Sequence, residues 1–228
     1  MTPDARRVAA LVPAHDEEGS IGATVEALRS LSIDEVVVVD DGSGDSTAAS
    51  ALAAGATVLR IPRRVGKGGA MEGAIRRMPP ADVWLLADAD LGASAVGLGT
   101  ILETVLEGHA DLAIATFPPM DGGGFGTVKR ASAATIRRLT SFDAAEPLSG
   151  QRVLTGDCLH AVRPLAGGFG VETAMTIDAV RAGMRVVEVL VPGLSHRATE
   201  RTVRGFMHRG RQGFDVVRVA ASRIARLR

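Results

Sequence analysis

The sequence predicts a doubly wound α/β protein with a mostly parallel sheet covered by helices on both faces. Short apolar runs alternate with helical patterns in the first half of the 228-residue chain, an order typical of βαβ units. Polar or glycine-rich clusters follow the first four predicted strands, as expected where the sheet presents a ligand-binding edge. The chain is long enough for one sizeable core, short for two, and has no linker. We therefore expect a single domain over residues 1–228.

The predicted elements follow one another with short connections. Strands are expected over 7–13, 35–40, 56–62 and 82–88, and helices over 20–31, 45–54, 68–78 and 94–107. A strand over 110–117, a helix near 130–140, a helix opening in GGFGVETAMTIDAVRAG and a strand in MRVVEVLVP come next. Between them, PPMDGGGFGTVKR has the composition of a loop. A lid over 120–130 and a plain surface loop both remain open.

Composition excludes several classes of protein. The formal net charge is zero, so bulk charge does not favour a nucleic-acid partner. The single cysteine, Cys158, cannot form an internal disulfide, which fits a reducing cytoplasm. No apolar run approaches the ~18 residues of a membrane span, and His15–Glu18 interrupt the first run, so we predict a strand there and not a signal peptide. The sequence does not indicate an oligomeric state.

The four clusters after the strands are PAHDEE, DDGSGDST, RVGKGG and DAD. Because the carboxyl ends of parallel strands share one edge of a sheet, all four are expected to face one site. Each cluster taken singly also suits a helix cap, since Asp and Ser are common at that position. Capping explains four coincident strand ends less well than a shared ligand site does.

The pair Asp88 and Asp90 is the strongest local signal. In extended backbone these positions project to the same side, ~6.6 Å apart, so both carboxylates can address one ligand. Two ionised carboxylates in a partly buried crevice repel each other unless a cation compensates them. Mg²⁺ or Mn²⁺ is the expected cation, because hard ions bind carboxylates together with substrate phosphates. The alternative is a solvated turn without a ligand.

Lys67 follows a glycine at the start of a predicted helix, where backbone N–H groups favour phosphate. The segment is not a Walker A loop, because Ile61 replaces the first glycine and Gly68 replaces the Ser or Thr that would hold Mg²⁺. DGSGDST likewise departs from the dinucleotide fingerprint, since Thr47 stands in place of the third glycine.

In this order and spacing, LVPAHDEEGSIGATVEAL, VVVVDDGSGDSTAASA, GKGGAMEGAI and LLADADLG resemble the family 2 glycosyltransferases of the GT-A fold. PLSGQR, GFGVETAMTIDAVRAG and SHRATERT extend the resemblance toward residue 205. The chain looks most similar to dolichyl-phosphate mannosyltransferase-like enzymes and glucosyl-3-phosphoglycerate synthases. The resemblance implies a nucleotide-sugar-binding half over 1–110 and an acceptor-binding half over 111–228.

The resemblance also implies roles for matching residues in the binding of the donor. Pro13, Ala14 and Glu17 would border the nucleoside, and Asp41 would receive a hydrogen bond from the base. Lys67 would lie beside the nucleotide, and Asp88 near the ribose or the metal.

Three further residues match positions at the metal and the acceptor. Asp90 would bind the metal, and His196 matches a histidine that completes the metal site in some relatives; an ordinary loop histidine is the alternative. Glu172 matches an acidic position near the acceptor and could act as a general base, or it could stabilise the dipole of its own helix. Asp16 departs from the asparagine usual in relatives, which leaves its role open.

The expected function is transfer of a hexosyl group from a nucleoside diphosphate sugar, UDP-linked in preference to GDP-linked, to a phosphate or hydroxyl acceptor. Polyprenyl phosphate and a small phosphorylated acid are the candidate acceptors. The basic amphipathic segment 200–228 could lie on an anionic membrane at the inner face or pack as a final helix. A sugar nucleotidyltransferase and a noncatalytic nucleotide-sugar-binding module are the alternatives.

Overall fold

Seven strands form one sheet in the order β3-β2-β1-β4-β6-β5-β7. The structure is a computed structural model and describes residues 6–117 and 126–194. The strands are β1 (Val8–Ala14), β2 (Glu35–Asp41), β3 (Thr57–Ile61), β4 (Val83–Leu86), β5 (Leu112–Thr116), β6 (Arg152–Thr155) and β7 (Val186–Leu190). The α-helices are α1 (Ile21–Arg29), α2 (Thr47–Ala53), α3 (Lys67–Ile75), α4 (Gly99–Leu106), α5 (Gly126–Thr140), α6 (Gly156–Val162) and α7 (Val171–Arg181).

The sheet is buried on both faces, which explains why its strands are continuous apolar runs. In β2, Val36 and Val38 pack into the core on one face, whereas Val37 and Val39 pack into the core on the other. All four are almost fully buried, and each side chain so placed stabilises the fold by roughly 1.5–3 kcal/mol. The doubly wound arrangement predicted from the sequence is confirmed.

One strand of the sheet runs against the others. The four strands β1 to β4 are mutually parallel, but β6 is antiparallel to both β4 and β5. Arg152, at the start of β6, therefore pairs with Leu86, at the end of β4. This reversal brings the segment that precedes β6 to the edge where the carboxyl ends of β1, β2 and β4 lie.

Two predicted elements have different bounds in the structure. The helix expected over 94–107 is a 3₁₀ helix over Gly92–Leu98 followed by α4. Glycines permit this close-packed stretch, since a Cβ on Gly97 would lie 2.9 Å from the side chain of Val191. Residues 126–130 belong to α5 and not to the expected loop, and residues 118–125 lie outside the described ranges.

No helix within residues 6–117 and 126–194 has both the length and the apolar character to cross a membrane. The basic segment 200–228, for which a membrane or packing role was expected, lies outside the described residues.

Glu72 ties α3 to the segment between α6 and α7. Its carboxylate accepts hydrogen bonds from Arg163 Nη2 at 2.9 Å and from the backbone N–H of Leu165 at 3.1 Å. Gly68, one turn earlier in α3, packs so closely on this segment that a Cβ would overlap the carbonyl oxygen of Ala166. These contacts position the start of α3, and with it Lys67, relative to α7.

Replacing Glu72 by Ala is expected to lower the free energy of unfolding by about 2 kcal/mol, because a hydrogen bond to a charged group contributes roughly 1.5–3 kcal/mol. Burial raises the pKa of Glu72, but its hydrogen bonds to Arg163, Leu165 and Arg76 outweigh this and lower it. The stabilisation is therefore present above the unfolded pKa of about 4.3 and is lost as pH falls through the folded value.

Urea denaturation at several pH values measures this effect, with Glu107→Ala as the control. The Glu107 side chain is 64% exposed, so its removal should change stability by less than about 0.5 kcal/mol. If the free energies of unfolding of wild type and Glu72→Ala differ as much at pH 3 as at pH 7, the stabilisation does not come from the ionised carboxylate of Glu72.

Candidate active site

The loop between β3 and α3 is held at the edge of the sheet by Asp41, the last residue of β2. One carboxylate oxygen of Asp41 accepts the N–H of Val65 and the other accepts the N–H of Gly66, each at 2.7 Å. Gly66 has φ +84°, a conformation that glycine adopts without strain. These bonds place Lys67 at the first position of α3. The expected bond from a nucleotide base to Asp41 remains a prediction.

The loops after β1 and β2 are joined by their own acidic side chains. Asp16 Oδ1 accepts the N–H of Gly44 at 2.8 Å, and Glu18 Oε2 accepts the N–H of Ser46 at 2.9 Å. Asp45 in turn accepts the N–H of Glu18 at 3.1 Å. Much of the negative charge that follows the first two strands is thus used to hold one loop against the other.

The backbone conformation of Asp16 explains why aspartate can stand where relatives usually have asparagine. Its φ is +56°, a left-handed conformation in which Asn and Asp are several-fold enriched among non-glycine residues. Asp therefore suits the turn geometry as Asn would, and its side chain serves the loop contact with Gly44.

The three residues expected beside the nucleoside lie together at the end of β1. Pro13 and Ala14 are the last residues of the strand, and Ala14 is buried. The backbone N–H of Glu17 donates to Thr47 Oγ1 at 2.8 Å, and its carboxylate accepts a hydrogen bond from Ser20 Oγ at 2.7 Å. Their roles in binding a nucleoside remain predictions.

Lys67 links two carboxylates from opposite sides of the edge. Its Nζ lies 2.5 Å from Asp88 Oδ1 and 2.7 Å from Glu172 Oε1. Burial lowers the pKa of Lys67, but the charges of Asp88 and Glu172 outweigh burial and raise it. Lys67 is therefore an ammonium ion at neutral pH, and the three side chains form a partly buried ion cluster.

Asp88 and Asp90 are arranged differently from the expectation. β4 ends at Leu86, and Ala89 and Asp90 lie in a turn, so the extended geometry assumed for the pair is wrong. Asp88 has a protein cation, Lys67, as a counter-ion. Asp90 is half-buried at the same edge.

Within the described ranges, no group of three or more His, Cys, Asp and Glu side chains is arranged to hold a metal ion. His196, the other expected metal ligand, lies outside the described residues. The metal-binding roles of Asp90 and His196 remain predictions.

Glu172 is buried in the first turn of α7, with 7% of its surface exposed. Its position suits the alternative in which it stabilises the helix dipole, and its contact with Lys67 adds a second electrostatic role. A general-base role requires contact with an acceptor hydroxyl and remains a prediction.

Two further residues of the site were not predicted from the sequence. Gln151 is fully buried, and its Nε2 donates to Asp88 Oδ2 at 2.9 Å. Gly150 lies against Lys67 and Asp88, where there is no room for a Cβ. The motif PLSGQR contains both residues, but the antiparallel direction of β6, which brings them to Asp88, has no clear signal in the sequence.

Arg152 carries a second buried positive charge beneath this cluster. Its Nε donates to the carbonyl of Ser149 at 2.8 Å, and one terminal nitrogen donates to Thr176 Oγ1 at 2.9 Å. Burial lowers the pKa of Arg152 to about 10, although the nearby charge of Glu172 acts in the opposite direction. Arg152 remains charged at neutral pH and attaches β6 to α7.

Comparison with protein families identifies a match over residues 9–160 to Glycosyl transferase family 2. Glycosyltransferase AglJ of Haloferax volcanii is 29% identical over 192 residues, which cover 82% of this chain and 62% of that protein. Glucosyl-3-phosphoglycerate synthase of Mycolicibacterium smegmatis is 31% identical over 198 residues, which cover 76% of this chain and 64% of that protein. The chain therefore matches less than two thirds of the length of these curated relatives.

Solved structures of glucosyl-3-phosphoglycerate synthase from Mycobacterium tuberculosis share the fold. The complex with Mn²⁺, UDP and phosphoglyceric acid superposes with a TM-score of 0.81 at 25% identity, covering 96% of this chain and 78% of that one. The complex with Mn²⁺, UDP-glucose and phosphoglyceric acid has a TM-score of 0.81 at 26% identity, covering 96% and 80%.

These findings confirm the GT-A fold and the family resemblance expected from the sequence motifs. The matched segment contains the loops after β1 to β4 and the PLSGQR motif, which are the parts of the chain that build the edge described above. The chain belongs to glycosyl transferase family 2.

Proposed function

We propose that the chain transfers a hexosyl group from a UDP-sugar to a small phosphorylated acid. The observation that carries the proposal is the ion cluster of Lys67, Asp88 and Glu172 at the carboxyl edge of the sheet. It joins the strands of the predicted donor-binding half to α7 of the predicted acceptor-binding half. The proposal is supported by family membership and by a similar solved structure that holds UDP-glucose and phosphoglyceric acid.

The donor would bind in the crevice formed by the loops after β1, β2 and β3. Pro13, Ala14 and Glu17 would border the nucleoside, and Asp41 would meet the base while holding the loop that carries Lys67. Lys67 would add fixed positive charge near the leaving diphosphate, where preorganised charge stabilises the transition state. Hydrogen bonds already hold the loops after β1 and β2 together, which would lower the ordering cost of binding the donor.

Mg²⁺ or Mn²⁺ would bind at the turn after β4, with substrate oxygens and water completing the few ligands that the protein supplies. Asp90, half-buried at the rim, offers a hard oxygen ligand, and hard divalent ions accept one or two carboxylates together with phosphate oxygens and water. Asp90 would hold the ion, with His196 as a second candidate ligand. When bound, the metal would act as a Lewis acid on the diphosphate.

On the acceptor side, Glu172 would lie near the reacting hydroxyl. Its contact with Lys67 orients the side chain, and a carboxylate within hydrogen-bond distance could accept the hydroxyl proton. Arg152 is hydrogen-bonded to Thr176 in α7, the helix that carries Glu172, and to the carbonyl of Ser149. It therefore holds the segment before β6 against α7.

The proposal is tested by incubating the protein with Mn²⁺, a UDP-hexose and a phosphorylated hydroxy acid such as 3-phosphoglycerate. We expect release of UDP in step with formation of a glycosylated acid, both measured by mass spectrometry, and a weaker reaction with GDP-hexoses. Pyrophosphate release from a sugar 1-phosphate and a nucleoside triphosphate would instead indicate a nucleotidyltransferase. Tight UDP binding without transfer to any acceptor would indicate a binding module.

The alternative acceptor, a polyprenyl phosphate, is tested in the same assay. Transfer to a polyprenyl phosphate in detergent, without transfer to the soluble acid, would replace the acceptor in the proposal and favour a membrane role for segment 200–228. Sedimentation with anionic vesicles at low salt measures that membrane contact directly.

A further inference from the structure

Gln151 contacts the carboxylate of Asp88, which belongs to the ion cluster of Lys67, Asp88 and Glu172. Its side chain is fully buried, and its Nε2 donates to Asp88 Oδ2 at 2.9 Å, while Lys67 occupies Asp88 Oδ1 at 2.5 Å. The two oxygens of Asp88 are thus held by different partners. A carboxylate anchored at both oxygens cannot rotate freely, so Gln151 limits the positions that Asp88 can take.

The backbone beside Gln151 is fitted closely to the same groups. A Cβ at Gly150 would lie 2.6 Å from each carboxylate oxygen of Asp88 and would also overlap Lys67 Nζ. Glycine at this position therefore lets the PLSGQR segment approach the ion pair directly. Since β6 is antiparallel to β4, this approach comes from the start of β6, immediately next to the end of β4.

The chemistry of an amide suits this position better than that of a carboxylate or an alkyl group. The amide donates a hydrogen bond to Asp88 without adding charge, so the ammonium of Lys67 remains shared between Asp88 and Glu172. A second carboxylate in place of the amide would repel Asp88, and an apolar side chain would leave one oxygen of Asp88 without this donor.

We propose that Gln151 is a positioning residue that fixes Asp88 and, through it, the ammonium of Lys67 between the two sides of the active site. The effect of Gln151 on catalysis rests on the proposed function, but its effect on Lys67 can be measured without sugar transfer. Gln151 does not itself touch the reacting atoms in this proposal.

The direct test is the reactivity of Lys67 toward an amine-acylating reagent. The chain contains two lysines, Lys67 and Lys129, so mass spectrometry can report Lys67 labelling with Lys129 as an internal reference. In Gln151→Leu, Asp88 loses the donor that fixes its position, so its ion pair with Lys67 should be less well formed and the pKa of Lys67 should fall. Labelling of Lys67 relative to Lys129 should then rise about threefold, as for a fall of half a pKa unit.

The control variant is Ser132→Ala, which also removes a buried polar group. Ser132 is fully buried in α5, and its hydroxyl has no hydrogen-bond partner within the described residues. Its removal should leave the Lys67 to Lys129 labelling ratio and the transfer rate at wild-type levels. An unchanged labelling ratio in a folded Gln151→Leu protein would overturn the proposal.

Gln151→Glu supplies a second test with a pH-dependent readout. The carboxyl group that this substitution introduces can donate to Asp88 when it is protonated, as the amide does, but repels Asp88 when it is ionised. Transferase activity relative to wild type should therefore rise at least threefold from pH 8 to pH 6. The assay is run well below the melting temperature of both proteins. An activity of Gln151→Glu relative to wild type that is the same at pH 6 and pH 8 would also overturn the proposal.

These tests separate the two proposals. If the wild-type chain transfers no sugar, the proposed function fails, and the labelling ratio still decides the role of Gln151. If Gln151→Leu does not fold, Gln151→Met decides it, because methionine also removes the amide donor but keeps the length of the side chain. A rise in the Lys67 to Lys129 labelling ratio is expected, and an unchanged ratio in the folded Met variant would overturn the proposal.

Discussion

Replacing Asp90 by Asn is expected to lower kcat for sugar transfer about 10³-fold, which corresponds to about 4 kcal/mol of transition-state stabilisation. The amide keeps the shape of the side chain but offers a neutral oxygen, so it would hold a divalent ion far less well than the carboxylate does. The ion is expected to stabilise charge on the leaving diphosphate by several kcal/mol. Asp90 is half-buried in a turn at the rim, so the melting temperature should change little.

The measurement compares initial rates over a range of Mn²⁺ concentrations. Calorimetric titration with Mn²⁺ and UDP gives a second readout, in which the variant should bind the pair at least tenfold more weakly. Asp143→Asn is the matched control, because that carboxylate is 83% exposed and its contact with Arg137 is long, at 3.9 Å, so its removal should have little effect. Wild-type rates from the Asp90 variant would refute the metal-binding role.

Much of the nucleotide side could be predicted from the sequence because its signals are local. The apolar runs in β1, β2 and β4 each end in a polar cluster, and parallel strands necessarily bring such ends to one edge. Asp41 and Lys67 were therefore expected near each other, and the structure connects them through the loop amides of Val65 and Gly66. The spacing of motifs along the chain was enough for this inference.

The acceptor side depends on contacts that pattern analysis does not reveal. β6 is only four residues long and antiparallel to its neighbours, so its direction is set by tertiary pairing and not by periodicity. That direction places Gln151 under Asp88 and Arg152 against α7. Short strands carry too few residues to show an alternating pattern, which is why this part of the site could not be predicted.

The charge balance of Asp88 is another property that the sequence could not show. Two aspartates in DAD suggest a cation, but the motif does not distinguish a metal ion from a lysine of another element. In the structure Lys67 compensates Asp88, while Glu172 approaches from α7. The distinction matters because the same lysine then couples donor-side and acceptor-side charges.

Replacing Lys67 by Met is expected to destabilise the protein by about 3 kcal/mol, because removing one partner of a buried ion pair leaves uncompensated charge. The expected cost lies at the lower end of the usual range of about 3–5 kcal/mol because the Asp88 side chain is 29% exposed. Urea denaturation followed by the fluorescence of Trp84, the single tryptophan and a buried one, measures the change. Lys129→Met is the matched control, since Lys129 is 40% exposed and its loss should cost less than about 1 kcal/mol.

The pH dependence identifies the origin of that loss. Wild-type Lys67 has a raised pKa, so its stabilising effect is complete below the unfolded value of about 10.4 and is lost only as pH rises through the folded value. In the Met variant, the carboxylates of Asp88 and Glu172 lose the cation between them, and protonation of either one relieves the repulsion that remains. The variant should therefore recover stability relative to wild type as pH falls from 7 to 5.

The double variant Lys67→Met, Glu172→Gln provides the final discrimination. Neutralising Glu172 removes one of the two uncompensated charges, so the double variant should be more stable at pH 7 than Lys67→Met alone, with a coupling of at least about 1 kcal/mol. Transfer activity should remain low in both variants, because neither restores the positive charge near the diphosphate. Additive losses from the two substitutions would show that Lys67 and Glu172 act independently, in conflict with the ion cluster.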